Sequence, residues 1–201
     1  MILIIYMNYN YVELLIVIIV GLFYISNPHN DYPLFILIGL FIYTLLYSSI
    51  SEYGIRTSNI DTAFIYPTIV FLIILCIYYP SWNIKKSIIN TNFFILLCIY
   101  PLWGIVQQFI LQSIITKNIY NTLSLENNIN IIITCLISGC IFSLLHIHLK
   151  QLSMPTFIVG ALWSYFYILD NNIIPLGIYH GILATFYYYF ILKIDILNKY
   201  I

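Results

Sequence analysis

Long apolar stretches, each about as long as a lipid bilayer is thick, alternate with short polar breaks along almost the whole chain. A hydrocarbon core of ~30 Å takes about 20 helical residues. By that measure seven segments stand out: 7–26, 33–51, 62–80, 92–116, 129–148, 154–170 and 175–194. The breaks between them include SNPHNDYP, SEYGIRTSNID, PSWNIKKSIINT and LDNNIIP, rich in the Pro, Gly, Asn and Asp that end helices. Nothing inside the segments alternates polar with apolar as the strands of a membrane barrel do. The pattern predicts an all-α fold, a polytopic transmembrane bundle of about seven helices. It forms one integral-membrane domain over residues 1–201, without an internal repeat.

Small residues recur at helical spacing on three segments. Cys135, Gly139 and Ser143 make one stripe, Thr156, Gly160 and Ser164 a second, Gly177 and Gly181 a third. Such faces let helix backbones approach closely in lipid, so the fifth, sixth and seventh segments are expected to pack together.

Composition sharpens the class. Of 201 residues 62% are hydrophobic and only 7% charged, against about 25% charged in soluble domains. A water-soluble fold is excluded. The net charge is zero, so there is no basic field for nucleic acid. The first apolar run has neither a basic lead nor a small-residue cleavage site and is expected to stay as an anchor. Seven spans place the termini on opposite sides. Lys85, Lys86, Lys150, Lys193 and Lys199 then oppose Arg56 and Lys117, which favours a cytoplasmic C-terminus. The four cysteines lie in apolar runs without ligand spacing and read as packing residues.

Candidate chemistry is concentrated in three segments. His146 and His180 sit inside apolar runs, where a group that titrates near neutrality needs a partner or a wet pocket. Segment four carries Gln107, Gln108 and Gln112, the last two sharing a face at i,i+4. Buried amides need partners. Either they hold helices together through interhelical hydrogen bonds, or Gln107, Gln108, His146 and His180 converge on one hydrated pocket. Straight helices would leave the two histidines ~10 Å apart in depth at 1.5 Å rise per residue; tilt or a short sixth segment would close that gap.

The order QQFILQ, then FSLLH, then a histidine opening a later helix resembles the CPBP family, the CAAX proteases and bacteriocin-processing membrane proteins also called Abi proteins. Phe142 to His146 fits the family's FxxxH, and His180 fits the first position of its HxxxN or HxxxD. The likeness covers about residues 90–195. It implies an intramembrane endopeptidase acting on membrane-tethered peptides, either prenylated CAAX-type or bacteriocin-leader-like, with no cofactor. It also implies roles: His146 acts on a water that Gln107 and Gln108 position, and His180 donates to the developing oxyanion. Four positions depart from the family. Gln107 and Gln108 stand where it has two glutamates, Gln112 where it has arginine, and Ala184 where it has Asn or Asp. Glutamine cannot take a proton. The chain is therefore either an impaired peptidase or a non-catalytic relative that binds hydrophobic peptides or serves as a membrane partner.

Other polar residues have plainer readings. Glu13 is expected at the interface as segment one enters, and a replacement base from it is the alternative. Asp170 forms the turn before Pro175, with a hydrogen bond toward His180 as a second option. His148 faces away from His146, and His29 lies in a loop. Tyr187, Tyr188 and Tyr189 suit an aromatic belt. Neither histidine has a carboxylate beside it or an HExxH context, so no metal is expected.

Overall fold

The computed structural model describes residues 9–28, 30, 32–81, 89–123 and 127–200. His29, Lys85 and Lys86 lie outside the described residues. Among those described, all regular structure is helical. The elements are α1 (Tyr9–Ser26), α2 (Tyr32–Tyr47), α3 (Ile60–Tyr78), α4 (Thr91–Gln108), α5 (Lys117–Leu123), α6 (Asn127–Leu145), α7 (Lys150–Asp170), α8 (Ile174–Phe186) and α9 (Ile196–Tyr200). A short 3-10 turn, Ile50–Tyr53, follows α2. Each of the seven apolar segments contains a helix.

Four helical stretches are long and apolar enough to cross a membrane: Ile60–Tyr78, Thr91–Leu123, Asn128–Leu145 and Lys150–Asp170. The sixth segment is not short. Its helix starts at Lys150, ahead of the apolar run, and carries Pro155 inside its second turn.

α4 and α5 are one continuous rod, joined by a π-helical stretch from Phe109 to Thr116. Wide turns of this kind accumulate at functional positions. Here all eight residues of the stretch are buried. The Thr116 hydroxyl donates to Leu111 O at 2.9 Å and to Ser138 Oγ at 2.9 Å, and lies 3.2 Å from Ser164 Oγ. Three small hydroxyls thus join this rod to α6 and α7.

Glycines set the two closest helix crossings. A Cβ on Gly139 would stand 2.7 Å from Phe157 O, and one on Gly160 would stand 3.0 Å from the Phe142 ring. That confirms the expected α6–α7 pairing. The Gly177–Gly181 stripe faces elsewhere, which corrects the expectation that it joins those two helices. A Cβ on Gly177 would fall 2.5 Å from Ile105 Cα, and one on Gly181 would fall 2.5 Å from Pro101 Cα. The partner is Gly104 on α4, whose own Cβ would lie 2.2 Å from Gly177 O.

The α2–α3 loop clasps the α7–α8 turn. Gly54 has φ 78°, and a side chain there would meet the Tyr167 ring at 2.9 Å. Ile173 N donates to Gly54 O at 2.8 Å, Asn172 Nδ2 to Arg56 O at 2.9 Å, and Asn59 Nδ2 to Asp170 O at 2.6 Å. Asp170 thus serves the turn through its carbonyl.

Glu13 is enclosed by the bundle rather than exposed. It is 7% exposed, and the Tyr53 hydroxyl lies 2.9 Å from each of its carboxylate oxygens. The Tyr53 carbonyl accepts from Ser113 Oγ, and its ring packs against Phe109 at 5.5 Å. Glu13 therefore braces the π-helical stretch from outside rather than serving as a spare base.

Candidate functional site

An apolar cavity of about 320 Å³ opens between the second half of α3, the end of α6, the first half of α7 and the second half of α8, with Tyr100 of α4 on its wall. His146 and His180 both line it, as do Phe142 and Ala184. The Phe142 ring stands between the imidazoles, 4.7 Å from the His146 ring and 5.3 Å from that of His180. One phenyl ring therefore touches both imidazoles. His180 is 7% exposed, while His146 is half-buried at the helix end.

Local structure explains each placement. α6 ends at Leu145, so His146 sits in the turn that follows, and its Nδ1 lies 2.9 Å from Phe142 O. A carbonyl only accepts, so Nδ1 carries the proton and Nε2 is left as the acceptor. On α8, His180 lies between Gly177 and Gly181, the two residues that bring α4 to contact. His148 is exposed and meets Tyr24 edge-on at 6.3 Å, away from the cavity.

The amides sit elsewhere. Gln108 and Gln112 are both 0% exposed, and Gln112 Nε2 donates to Gln108 Oε1 at 3.0 Å. Gln107 Oε1, Gln108 Nε2 and Gln112 Oε1 have no partner among the described residues. Pro101 meets Gly181 and Ile105 meets Gly177, so α4 and α8 run antiparallel. That register puts Gln108 about six residues, or ~9 Å along the axis, from the level of His180. None of the three glutamines lines the cavity. The structure thus brings the histidines together around Phe142 and sets the glutamines deeper, beyond the glycine crossing.

A family model described as Type II CAAX prenyl endopeptidase Rce1-like matches residues 89–186. Over those residues the chain is Rce1-like. That match agrees with the resemblance to the CPBP family read from the motifs, and the apolar helices support an integral membrane protein. The Rce1-like segment holds α4 to α8, so it contains His146, His180, Phe142 and the three glutamines. No curated protein and no solved structure matches the chain.

Two site features carry no sequence signal of their own. Gly104 shows its purpose only once α8 lies against it. The α3 wall, with Ile74 and Tyr78, belongs to a span outside the Rce1-like segment. The three adjacent tyrosines are not a uniform belt either. Tyr187 lines the cavity and donates to Gln151 O at 2.7 Å, whereas Tyr189 is fully buried and donates to Asp195 at 2.9 Å.

Proposed function

We propose that the cavity is the peptide site of an intramembrane endopeptidase whose hydrolytic power is much reduced. The observation that supports it is the tautomer of His146. With Nδ1 committed to Phe142 O, Nε2 is a lone pair on a cavity-lining ring and can take a proton from an attacking water. His180, on the other side of the same phenyl ring, is the donor available to a tetrahedral oxyanion.

Gln107 and Gln108 occupy the acidic positions of the motif and can orient but not deprotonate. Gln107 Oε1 has no partner among the described residues, but Gln107 lies outside the cavity lining, so this reading leaves His146 as the acceptor beside the substrate. Gln108 is tied to Gln112. Substrates are peptides tethered to the membrane, of the CAAX or bacteriocin-leader type, and the excess of lysines favours a cytoplasmic C-terminus.

The test is cleavage of a quenched membrane-peptide library by the purified protein in nanodiscs. Slow turnover that disappears in His146→Ala supports the proposal. Turnover unchanged in His146→Ala rejects it, and binding with no turnover at all returns the chain to the non-catalytic reading.

A further inference from the structure

Three of the four helices around the cavity are locked by close contacts. α6 meets α7 through Gly139 and Gly160, and α8 meets α4 through Gly177, Gly181 and Gly104. The Thr116 hydroxyl joins the α4 rod to α6 and α7. Tyr100 of α4 adds an edge-on contact with Tyr188 of α8 at 6.4 Å. The fourth wall, α3, is different. It has no glycine, and its two buried residues, Ala63 and Pro67, both lie in its first half.

Pro67 divides α3. It has no N–H to return to Ala63 O, and prolines are where helices bend. The half before the bend is pinned to α7 and α8. Tyr66 stacks on Phe166 at 5.7 Å. Thr68 gives its proton to Phe64 O at 2.5 Å, so the Tyr179 hydroxyl donates to Thr68 Oγ1 at 2.7 Å. Phe64 and Phe71 hold the same Tyr179 ring at 5.9 and 4.9 Å. Beyond this clasp come Ile74, Leu75, Ile77 and Tyr78, which line the cavity. None of the four is buried, so the hollow lies where another helix would pack. The far end rests edge-on against Tyr187 at 6.2 Å.

We infer that the second half of α3, residues 71–78, is a door between the cavity and the bilayer, which swings at Pro67 and admits ligands sideways from lipid. This rests on the reading of the cavity as a peptide site. It adds that a substrate must already be dissolved in the membrane when it arrives. The backbone bond that a bend would break is the one Pro67 already lacks. Moving outward, the door meets acyl chains as apolar as its own side chains, so opening loses little apolar contact. Closing brings Tyr78 back onto Tyr187, whose hydroxyl is fixed on Gln151 O of α7. The door lies outside the Rce1-like segment, so it is supplied by the rest of this chain.

The experiment uses the full chain in phosphatidylcholine nanodiscs, with the four cysteines changed to alanine and Tyr78→Cys and Tyr187→Cys added. A reducible bifunctional methanethiosulfonate then ties the door shut. Exchange of a bound fluorophore-tagged apolar peptide for an untagged copy is expected to slow at least tenfold and to recover on reduction. Equilibrium affinity should stay within about twofold. A wall that only touches the ligand changes affinity, whereas a door changes entry and exit together. Exchange unaffected by the tether overturns the inference, as does weaker affinity with the exchange rate unchanged. A second arm needs no ligand and keeps Tyr78 and Tyr187. Spin labels go on the exposed native Cys76 and on Met154→Cys at the exposed start of α7, with the other three cysteines as alanine. Two separations are expected, the longer one lost in Pro67→Ala. One separation, the same in Pro67→Ala, overturns the inference. If no peptide binds, the peptide reading fails and the label separations alone decide the door.

Discussion

Gln112 Nε2 donates to Gln108 Oε1 at 3.0 Å inside a π-helical turn, with both side chains wholly shut off from solvent. These are the positions at which the CPBP motif has its second glutamate and its arginine. Where the resemblance puts an acid and a base, this chain has two amides joined by a neutral hydrogen bond. Replacing a buried ion pair by a neutral pair is often close to isoenergetic, whereas removing one partner costs about 3–5 kcal/mol. Gln108→Glu alone should therefore destabilise the fold by a few kcal/mol, and adding Gln112→Arg should return most of it. Thermal unfolding in detergent reads the cycle; additive effects of the two changes would show that the side chains are not coupled.

The α4–α8 crossing leaves no room for a methyl group. Added Cβ atoms at Gly177 and Gly181 would fall 2.5 Å from backbone carbons of α4. Neither backbone can yield as a flexible side chain would. Gly177→Ala and Gly181→Ala should each cost about 1–3 kcal/mol or more by overpacking, against a small effect for Gly39→Ala, where nothing lies within 4 Å. The crossing also fixes His180 against Phe142, so peptide binding should weaken in the same two variants. Stability unchanged in either would refute the close contact.

Much of this architecture is written in local pattern. Span lengths follow from the thickness of the bilayer, and Gly139 and Gly160 meet as small residues at four-residue spacing should. Phe142 and His146 are one turn apart, so their contact is also local. Other contacts depend on the third dimension. The π-helical turn replaces i→i+4 with i→i+5 bonds without any change in composition, so FILQSIIT reads as ordinary helix. The Gly177–Gly181 stripe announces a close neighbour but does not say which one. Glu13 meets Tyr53 only because the turn after α2 folds back across the rod, and nothing near either residue encodes that.

The C-terminal end offers a pH test outside the membrane. Asp195 accepts from Asn90 Nδ2 at 2.7 Å, Asn92 Nδ2 at 3.0 Å, the Tyr189 hydroxyl at 2.9 Å and Asn198 N at 3.3 Å. Burial pushes its pKa up, but the asparagine amides, the phenol and the backbone N–H outweigh it and hold the carboxyl at about 2, below its ordinary 3.8. A depressed folded value means that the stabilisation is complete above the unfolded value. It is lost as pH falls from about 4 toward 2. The group is largely exposed, so solvent screens much of the effect. The expected result is a small acid-limb loss in unfolding temperature that Asp195→Asn removes. An identical acid limb in that variant would assign the loss to other carboxylates.

Two departures from the family motif predict a gain of function. Gln107 stands at the first acidic position and Ala184 at the final amide position, with Ala184 on the cavity wall one turn beyond His180. A general base is worth ~10²–10⁴ in rate, and one oxyanion donor ~10²–10³. If His146 and His180 already hold the reacting geometry, Gln107→Glu with Ala184→Asn should raise turnover of a membrane peptide by at least about a hundredfold. The gain should vanish when His146→Ala is added, because the carboxylate and the imidazole act on the same water. Each single change should give far less than the pair. The readout is kcat in nanodiscs, with unfolding temperature measured alongside to show that all variants fold. A folded double variant without turnover would mean that Gln107 is too far from the cavity to serve the chemistry, consistent with its offset of about 7.5 Å along α4. The histidine pair would then be a binding site alone.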